Sequence, residues 1–252
     1  MAELSNTRWE HFQEFLLMLY QQDRLRKIQK VVMDYLESEI VHQCSMFDYG
    51  RARDEEIIFF HPYSDNLGEQ ALKDYYKNYQ HKDYTVWNFS KTEALVYRDS
   101  DLIPDHLREK SSIYQQWMKP LGVYYGLGCT IVKQHFYGSV TMFRKKEIGD
   151  FTQEDLYLLE LLNMHLASHM QMLYPNGVKE SDIRDTDKSL LDKYHLTERE
   201  TEIARQLQYG LTNQEIGRKL CISEVTVKKH MSHIFEKMQV RNRNQLIIKL
   251  QK

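Results

Sequence analysis

The hydrophobic positions in the last quarter of the chain repeat at helical spacing. Apolar residues recur three or four positions apart in three consecutive runs, which start at Ile203, Ile216 and Val227. Polar segments separate the runs, and Gly210 follows the first, at the place where a left-handed residue commonly ends a helix. The pattern predicts three short helices joined by tight turns, then a fourth helix from about Asn242.

Each of the three runs is preceded by a helix start signal. Thr197 is followed three positions later by Glu200, and Thr212 by Glu215. This is the spacing of a capping box, in which the hydroxyl and the carboxylate each accept an amide of the first turn. Ser223 is a third N-cap candidate. Residues 196–252 are therefore expected to form a compact four-helix bundle.

The chain before residue 175 mixes helical and strand periods. Helical spacing occurs in the first 40 residues, over Gly68–Tyr79 and from Thr152 onward. Strand candidates are Gln43–Tyr49, Glu56–Phe60, Ala94–Tyr97, Val123–Val132 and Phe136–Phe143. This order predicts an α+β protein, with an N-terminal α/β/α sandwich around one antiparallel sheet and a C-terminal all-α four-helix domain.

Alternation along the fourth strand candidate predicts two unlike faces. One face would carry Val123, Tyr125, Leu127, Cys129 and Ile131, and the other Tyr124, Gly126, Gly128 and Thr130.

The clearest domain boundary is the sequence Tyr-Pro-Asn-Gly at 174–177, which a polar stretch follows. Proline and glycine end the preceding helix there. We expect a sensor and dimerisation domain over 1–174, a linker over 175–195, in which residues 189–194 could form a short helix, and a helical domain over 196–252.

Composition is that of a soluble globular protein, with 42% hydrophobic and 28% charged residues. The longest unbroken apolar stretch, Phe15–Tyr20, is too short to span a membrane, and no signal peptide is visible. Three scattered cysteines, Cys44, Cys129 and Cys221, do not suggest disulfides or a zinc cluster. A cytoplasmic protein without a metal or cofactor is expected.

Charge is distributed unevenly between the two parts. Residues 196–252 hold 11 Lys or Arg and 6 Asp or Glu, a net +5, so residues 1–195 carry −7 in a chain of net charge −2. The basic residues cluster in and after the third predicted helix, at Lys228, Lys229, Lys237, Arg241 and Arg243. Consecutive capped helices with a basic third helix indicate a helix-turn-helix that binds double-stranded DNA. The alternative is a solvated basic bundle that contacts no DNA.

Three motifs make this segment resemble the LuxR-type (GerE-type) helix-turn-helix of bacterial transcription regulators. They are Leu-Thr-x-Arg-Glu at 196–200, Gly-x-Thr-Asn-x-Glu-Ile at 210–216 and Thr-Val-Lys-x-His at 226–230. The resemblance implies that Lys228, Lys229 and Ser232 face base edges with His233 nearby, and that Thr212, Asn213, Thr226 and Lys237 hold the phosphate backbone. Gly217 stands where the family usually has alanine, at an expected cost of about 1 kcal/mol to its helix.

The order of elements over residues 20–174 resembles GAF/PAS-like sensor domains, including the autoinducer-binding domain that often precedes such a helix-turn-helix. Eleven aromatic residues lie between Tyr75 and Tyr125, and aromatic walls with a few polar groups are typical of small-molecule pockets. The candidate ligand-binding residues are Tyr79, Asp83, Trp87, Tyr97, Trp117 and Tyr125. The alternative is that the aromatics fill a core and Asp83 caps a turn.

Other chemistry has little support in the sequence. His165 and His169 lie four apart on a predicted helix, as in a metal pair, but no third ligand accompanies them. Asp48 lacks the acidic companions of a phosphorylated receiver aspartate. No phosphate-binding loop, nucleophile elbow or pair of catalytic carboxylates is apparent, so we expect no catalytic residues and no enzymatic activity.

The sequence therefore predicts a bacterial transcription regulator whose N-terminal domain senses a small molecule. A near-palindromic operator, a symmetric homodimer and RNA polymerase are the expected partners, and Leu246, Ile247, Ile248 and Leu250 offer apolar surface for the dimer. The alternatives are an N-terminal domain that only dimerises or binds a protein partner, and an enzyme with a DNA-binding tail.

Overall fold

The chain forms two compact units, Met1–Ile183 and Arg184–Lys252. The computed structural model describes residues 4–53, 56–64, 66–86, 89, 92–183, 194–208 and 210–250, with only the backbone at 205 and 208. The segment predicted as a short helix over 189–194 lies almost wholly outside the described residues. Within the described part, no helix combines the length and the apolar character needed to cross a bilayer.

The first unit is built on one five-stranded antiparallel sheet. Its strands are β1 Cys44–Arg53, β2 Glu56–Tyr63, β3 Val96–Arg98, β4 Tyr125–Lys133 and β5 His135–Arg144, in the order β2-β1-β5-β4-β3. All five strands lie at or near the strand candidates predicted from the sequence. The α+β prediction with a single antiparallel sheet is confirmed.

Three long helices form the layer on one face of the sheet. They are α1 Asn6–Tyr20, α2 Leu25–Glu39 and α6 Gln153–Leu173, and α6 begins with a capping box between Thr152 and Asp155. Helices α2 and α6 contact the strands, and α1 packs against both of these helices. The sheet side chains beneath these helices are apolar: Phe47, Tyr49, Leu127, Cys129, Ile131, Tyr137, Val140 and Met142. This layer is the main hydrophobic core of the unit.

Shorter segments cover the opposite face of the sheet. These are α3 Glu69–Asp74, which continues as a π-helical turn over Tyr75–Tyr79 and a 3₁₀ turn over Gln80–Lys82, then α4 Asp99–Leu102, α5 Asp105–Arg108 and a second π-helical turn over Tyr114–Met118. Short 3₁₀ turns also occur at Lys146–Ile148 and Glu180–Ile183. The side chains beneath this layer include a second apolar cluster around Met46, Trp117 and Phe143.

Two sequence expectations need correction here. Strand β4 begins at Tyr125, and Val123 packs in the Trp117 cluster instead of sharing the Leu127 face. Gly122, with φ +70°, turns the chain just before the strand, so the alternation does not extend back to Val123. The helix predicted over Gly68–Tyr79 starts at Glu69 and widens into the π-helical turn at Tyr75.

The described part of the second unit contains four helices, as predicted: α7 Glu198–Gln208, α8 Asn213–Lys219, α9 Glu224–Lys237 and α10 Arg243–Leu250. Both predicted capping boxes form, since the amide of Thr197 donates to Glu200 (2.8 Å) and the amide of Thr212 donates to Glu215 (2.7 Å). Ser223 caps α9, accepting the amide of Thr226 at 3.0 Å. The short helices therefore start where their caps are.

Gly217 has a packing role that the sequence did not reveal. A Cβ added to Gly217 would lie 2.8 Å from the carbonyl oxygen of Ile222, in the turn between α8 and α9. The two backbones can approach this closely only because glycine has no side chain. This packing offsets the poor helix propensity of glycine.

Candidate nucleic-acid interface and ligand site

Helix α9 has one buried side and one polar exposed side. Val227, Met231 and Ile234 are buried in the core of the second unit. Lys228, Lys229, Ser232 and His233 are exposed to solvent. Because only the apolar side packs in the core, Lys228 and Lys229 remain available to a partner.

Lys228 is held only loosely. Its Nζ lies 2.7 Å from Oε1 of Glu224, one turn earlier, and 62% of the lysine side chain is exposed. An exposed pair of this kind contributes little to stability. Lys228 can therefore exchange Glu224 for an acceptor on DNA at small cost.

Lys237, in contrast, is part of the internal structure of the unit. Its Nζ lies 2.7 Å from Oε2 of Glu200, whose carboxylate also accepts the amide of Thr197. Burial raises the pKa of Glu200, but the Lys237 ammonium and the Thr197 donors outweigh it, and the pKa is lowered. Nδ1 of His233 is 3.6 Å from the same carboxyl group. Lys237 thus fastens α9 to α7, a role the sequence did not indicate.

The remaining candidates lie at the starts of α8 and α9. The hydroxyl of Thr212 belongs to the capping box of α8, and the hydroxyl of Thr226 lies 2.8 Å from that of Ser223. Oδ1 of Asn213 has no hydrogen-bond partner among the described residues. All eight candidates therefore belong to α8, α9 or their caps, which is the arrangement a DNA contact requires.

In the first unit, Asp83 is buried, with 8% of its surface exposed. It accepts hydrogen bonds from the Tyr75 hydroxyl (2.7 Å) and from the amide and hydroxyl of Thr85 (2.8 and 2.7 Å). Burial raises the pKa of Asp83, and the Thr85 and Tyr75 donors partly offset this. The buried carboxylate of Asp83 is thus satisfied by a neighbouring tyrosine and threonine.

A small, largely enclosed cavity of about 20 Å³ lies beside Asp83. Its lining includes Asp83, Tyr84, Thr85, Tyr97, Asp99, Trp117 and Thr141. This volume has room for about one water molecule. Two carboxylates and several hydroxyls therefore converge on one point of the sheet.

The structure brings together three of the six candidate ligand-binding residues. Asp83, Tyr97 and Trp117 line the cavity, and Tyr79 and Tyr125 are half-buried outside its lining. Trp87 lies outside the described residues.

Sequence reasoning did not assign Asp48 to this layer. Asp48 lies on the sheet face opposite Phe47 and Tyr49, where the Tyr76 hydroxyl and the Ser139 hydroxyl (3.5 Å) donate to it. Burial raises its pKa to about 7, and the two hydroxyl donors lower it only in part. The available signal was one aspartate within an apolar strand, alternating with side chains that face the main core.

The sequence also did not predict a buried ion pair in this layer. Nη1 of Arg108 lies 2.8 Å from Oδ1 of Asp99, and both side chains are almost fully buried. The guanidinium carbon of Arg108 also lies 4.3 Å from the ring centre of Tyr124. Burial raises the pKa of Asp99 to about 6, although Arg108 acts to lower it. The two residues lie nine positions apart, at the start of α4 and the end of α5, a spacing that no helix or strand period explains.

Two larger clefts open at the surface of the first unit, and each has a pair of polar side chains that already contact each other. One, of about 290 Å³, lies along α6, where Lys133 donates to Ser168 at 2.9 Å. The other, of about 400 Å³, lies between α1 and α2, where His11 and Glu39 are 2.7 Å apart. The cavity beside Asp83 is smaller but brings more buried polar groups together, so it is the better candidate.

His165 and His169 do not form a metal pair. Nδ1 of His165 lies 3.0 Å from the Tyr20 hydroxyl, and Nε2 of His169 lies 2.7 Å from the carbonyl of Gln22. Among the described residues, no three His, Cys, Asp or Glu side chains are placed to hold a metal ion.

The raised pKa of Asp48 predicts a pH-dependent stability. A group whose pKa is higher in the folded than in the unfolded state stabilises the fold fully below the unfolded value, near 3.8, and loses this contribution as pH rises through about 7. We expect Asp48→Asn to flatten the fall in unfolding free energy between about pH 4 and pH 7, with a gain of roughly 1–3 kcal/mol above pH 7. Urea unfolding at a series of pH values measures this dependence of the unfolding free energy on pH.

The exposed Asp34→Asn serves as the matched control and should keep the wild-type slope. An unchanged slope in Asp48→Asn would show that Asp48 stays ionised in the folded protein.

Two solved structures are similar over most or all of the chain. Escherichia coli SdiA matches with a TM-score of 0.45 and 18% identity, over 95% of each chain. The N-acylhomoserine lactone-dependent LuxR family transcription factor CepR2 from Burkholderia cenocepacia matches with a TM-score of 0.48 and 11% identity, over 66% of this chain and 96% of its own.

Sequence similarity to curated proteins covers only a small part of this chain in the two relatives that follow. The transcriptional regulatory protein LnrK of Bacillus subtilis is 55% identical over 53 residues, which are 21% of this chain and 24% of LnrK. The CsgBAC operon transcriptional regulatory protein of Escherichia coli is 50% identical over 52 residues, again 21% and 24%. The chain thus spans about a quarter of the length of these relatives.

A family profile covers the four described helices of the second unit. Residues 194–250 match the family of bacterial regulatory proteins described as the luxR family. The match contains the three capped helices, the close turn at Gly217 and the exposed lysines of α9. The C-terminal part of this chain is therefore a LuxR-type helix-turn-helix domain.

Proposed function

We propose that this protein is a transcription regulator that binds double-stranded DNA through α9. The observation that carries the proposal is the exposed basic side of this capped helix, within a domain of the luxR family. In a helix-turn-helix the second helix of the motif enters the major groove while the first crosses the backbone. Here α9 would be the helix in the groove and α8 the supporting helix.

The charges of the second unit support binding to phosphate. Lysines and arginines that neutralise phosphates release counterions, so binding weakens steeply as salt concentration rises. DNA selected from a random duplex library by the full chain, followed by titration at several salt concentrations, tests the proposal. Failure to enrich any sequence, with no salt-dependent binding, would contradict it.

We also propose that the protein acts as a homodimer on a near-palindromic operator, with RNA polymerase as a further candidate partner. One helix-turn-helix reads only a short half-site, so two copies give useful specificity. Leu246 is buried within the domain itself and is not available to a partner, which corrects the sequence expectation. Ile248 is 56% exposed and remains a candidate contact.

Sedimentation velocity at micromolar concentration measures the assembly. We expect a species of twice the 30.4 kDa chain mass, and Ile248→Asp should shift it toward monomer if α10 takes part. A 30.4 kDa species for the unaltered chain, binding DNA as one copy per site, would exclude the homodimer.

For the first unit we propose that a small molecule binds beside Asp83, between the sheet and the segments that cover it. The buried polar groups there converge on a cavity, and aromatic side chains enclose it. A ligand larger than water would need the covering layer to move, and the π-helical turns at Tyr75 and Tyr114 are irregular segments of that layer. Such movement would couple ligand binding to the rest of the unit.

A module without ligand is the second candidate. It is favoured by the small size of the cavity and by the three donors that already satisfy Asp83. In that case the first unit would contribute only dimerisation or partner binding.

Native mass spectrometry of protein purified from its host distinguishes the two candidates. We expect added mass on the wild type and its loss in Asp83→Asn, while Asp34→Asn, at an exposed position, keeps it. Asp83→Asn should also lower the melting temperature, because the buried carboxylate holds three hydrogen bonds. No added mass, together with no stabilisation by any compound of a metabolite panel, would favour the ligand-free module.

A further inference from the structure

An apolar side chain interrupts the polar outer side of α9. Val225, the second residue of the helix, is 63% exposed. At about 100° per residue, Val225, Lys229 and Ser232 lie within about 60° of one another. This arc is opposite the buried residues Val227 and Ile234. Val225 therefore shares the side of the helix that carries the exposed lysine.

The position of Val225 is well fixed. Ser223 caps the helix by accepting the amide of Thr226 at 3.0 Å, so the first turn, which contains Val225, is tied down. A β-branched side chain in a helix has one strongly preferred rotamer. The two methyl groups of Val225 thus project into solvent in a defined direction from the first turn.

The chemistry of the major groove identifies what such a group can recognise. The residues at the start of a recognition helix are those that contact base edges. The apolar group that base pairs present in the major groove is the C5-methyl of thymine, and the other groups there are hydrogen-bond donors and acceptors. Lys229, one turn later, can reach the acceptors of guanine.

We infer that Val225 determines sequence specificity by packing its methyl groups against the C5-methyl of one thymine in each half-site. The inference rests on the proposed DNA-binding function and goes beyond it, because it adds an apolar contact to the lysines assigned by resemblance. The side chain makes no hydrogen bond, so its contribution is discrimination of thymine from cytosine and from uracil at that position.

Uracil in place of thymine removes only the C5-methyl group and therefore isolates this contact. A site selected by the full chain from a random duplex library is resynthesised with deoxyuridine at each thymine in turn. Binding is measured for the wild type, Val225→Ala and Val225→Ile. At one position per half-site we expect the wild type to bind the uracil site about fourfold more weakly, the value of one buried methyl group.

Val225→Ala should bind thymine and uracil sites equally, while Val225→Ile should keep the preference for thymine. Thermal melting checks that both variants fold, and alanine is a better helix former than valine. If the wild type binds all uracil sites as tightly as thymine sites, or if Val225→Ala keeps the difference, the inference is wrong and the proposed DNA binding stands. If no sequence is selected, the proposed function itself fails.

Discussion

Replacing both Lys228 and Lys229 with alanine is expected to abolish most sequence-specific DNA binding. Each lysine that contacts a base contributes about 1–3 kcal/mol, so the single variants should lose roughly tenfold or more in affinity and the double variant more still. Both side chains are exposed and the only ion pair described for them is the weak one between Lys228 and Glu224. Fluorescence anisotropy with a selected duplex measures the loss.

The matched control removes the same charge from the first unit, as Lys77→Ala with Lys110→Ala, both at exposed positions. It should change affinity only slightly. Specific binding that survives in the Lys228 and Lys229 double variant would show that α9 is not the helix in the groove.

Lys237→Ala separates stability from DNA contact. Because Glu200 would lose the ammonium that lies 2.7 Å away, the second unit should lose about 1–3 kcal/mol of unfolding free energy. The Lys228 and Lys229 variants should keep the wild-type melting curve. A loss of DNA affinity in Lys237→Ala therefore has to be corrected for the fraction unfolded.

The largest effect in the first unit is expected for Arg108→Met. Both Arg108 and Asp99 are buried, and removing one partner of a buried ion pair leaves an uncompensated charge, at a cost of about 3–5 kcal/mol. Met fills much of the same volume and keeps contact with the Tyr124 ring, so the loss reports mainly on charge. In urea unfolding of the full chain, the first unit of Arg108→Met should unfold at a lower urea concentration than that of the wild type.

The double variant Arg108→Met with Asp99→Asn provides the control. Since the buried carboxylate is then absent, it should be more stable than Arg108→Met alone. Equal instability of the single and double variants would mean that packing, and not charge, makes Arg108 necessary.

The parts of the fold that could be predicted from sequence are those determined by neighbours along the chain. The caps at Thr197, Thr212 and Ser223 act within three residues, and strand alternation acts within about ten, so both are visible in the sequence. The second unit consists almost entirely of such local signals.

The polar layer of the first unit depends on contacts between distant residues. Asp48 and Ser139 are 91 positions apart, and Arg108 at the end of α5 meets Asp99 at the start of α4 only because the chain turns between these two short helices. No periodic pattern encodes such pairs. The aromatic residues around Asp83 made it a candidate ligand-binding residue in the sequence. The sequence contained no comparable signal for the buried carboxylates of Asp48 and Asp99.

Two glycines of β4 limit how the proposed small-molecule site of the first unit could change. A Cβ on Gly128 would lie 2.6 Å from the Tyr97 hydroxyl, and one on Gly126 would lie 3.2 Å from Asp99. A larger residue at either of these two positions would therefore displace Tyr97 or Asp99. Ile113, Trp117 and Met118 form the opposite wall of the cavity, on the covering segments. We therefore expect a change in the specificity of the proposed site to arise by substitution of these three wall residues, while the residues of the sheet stay the same.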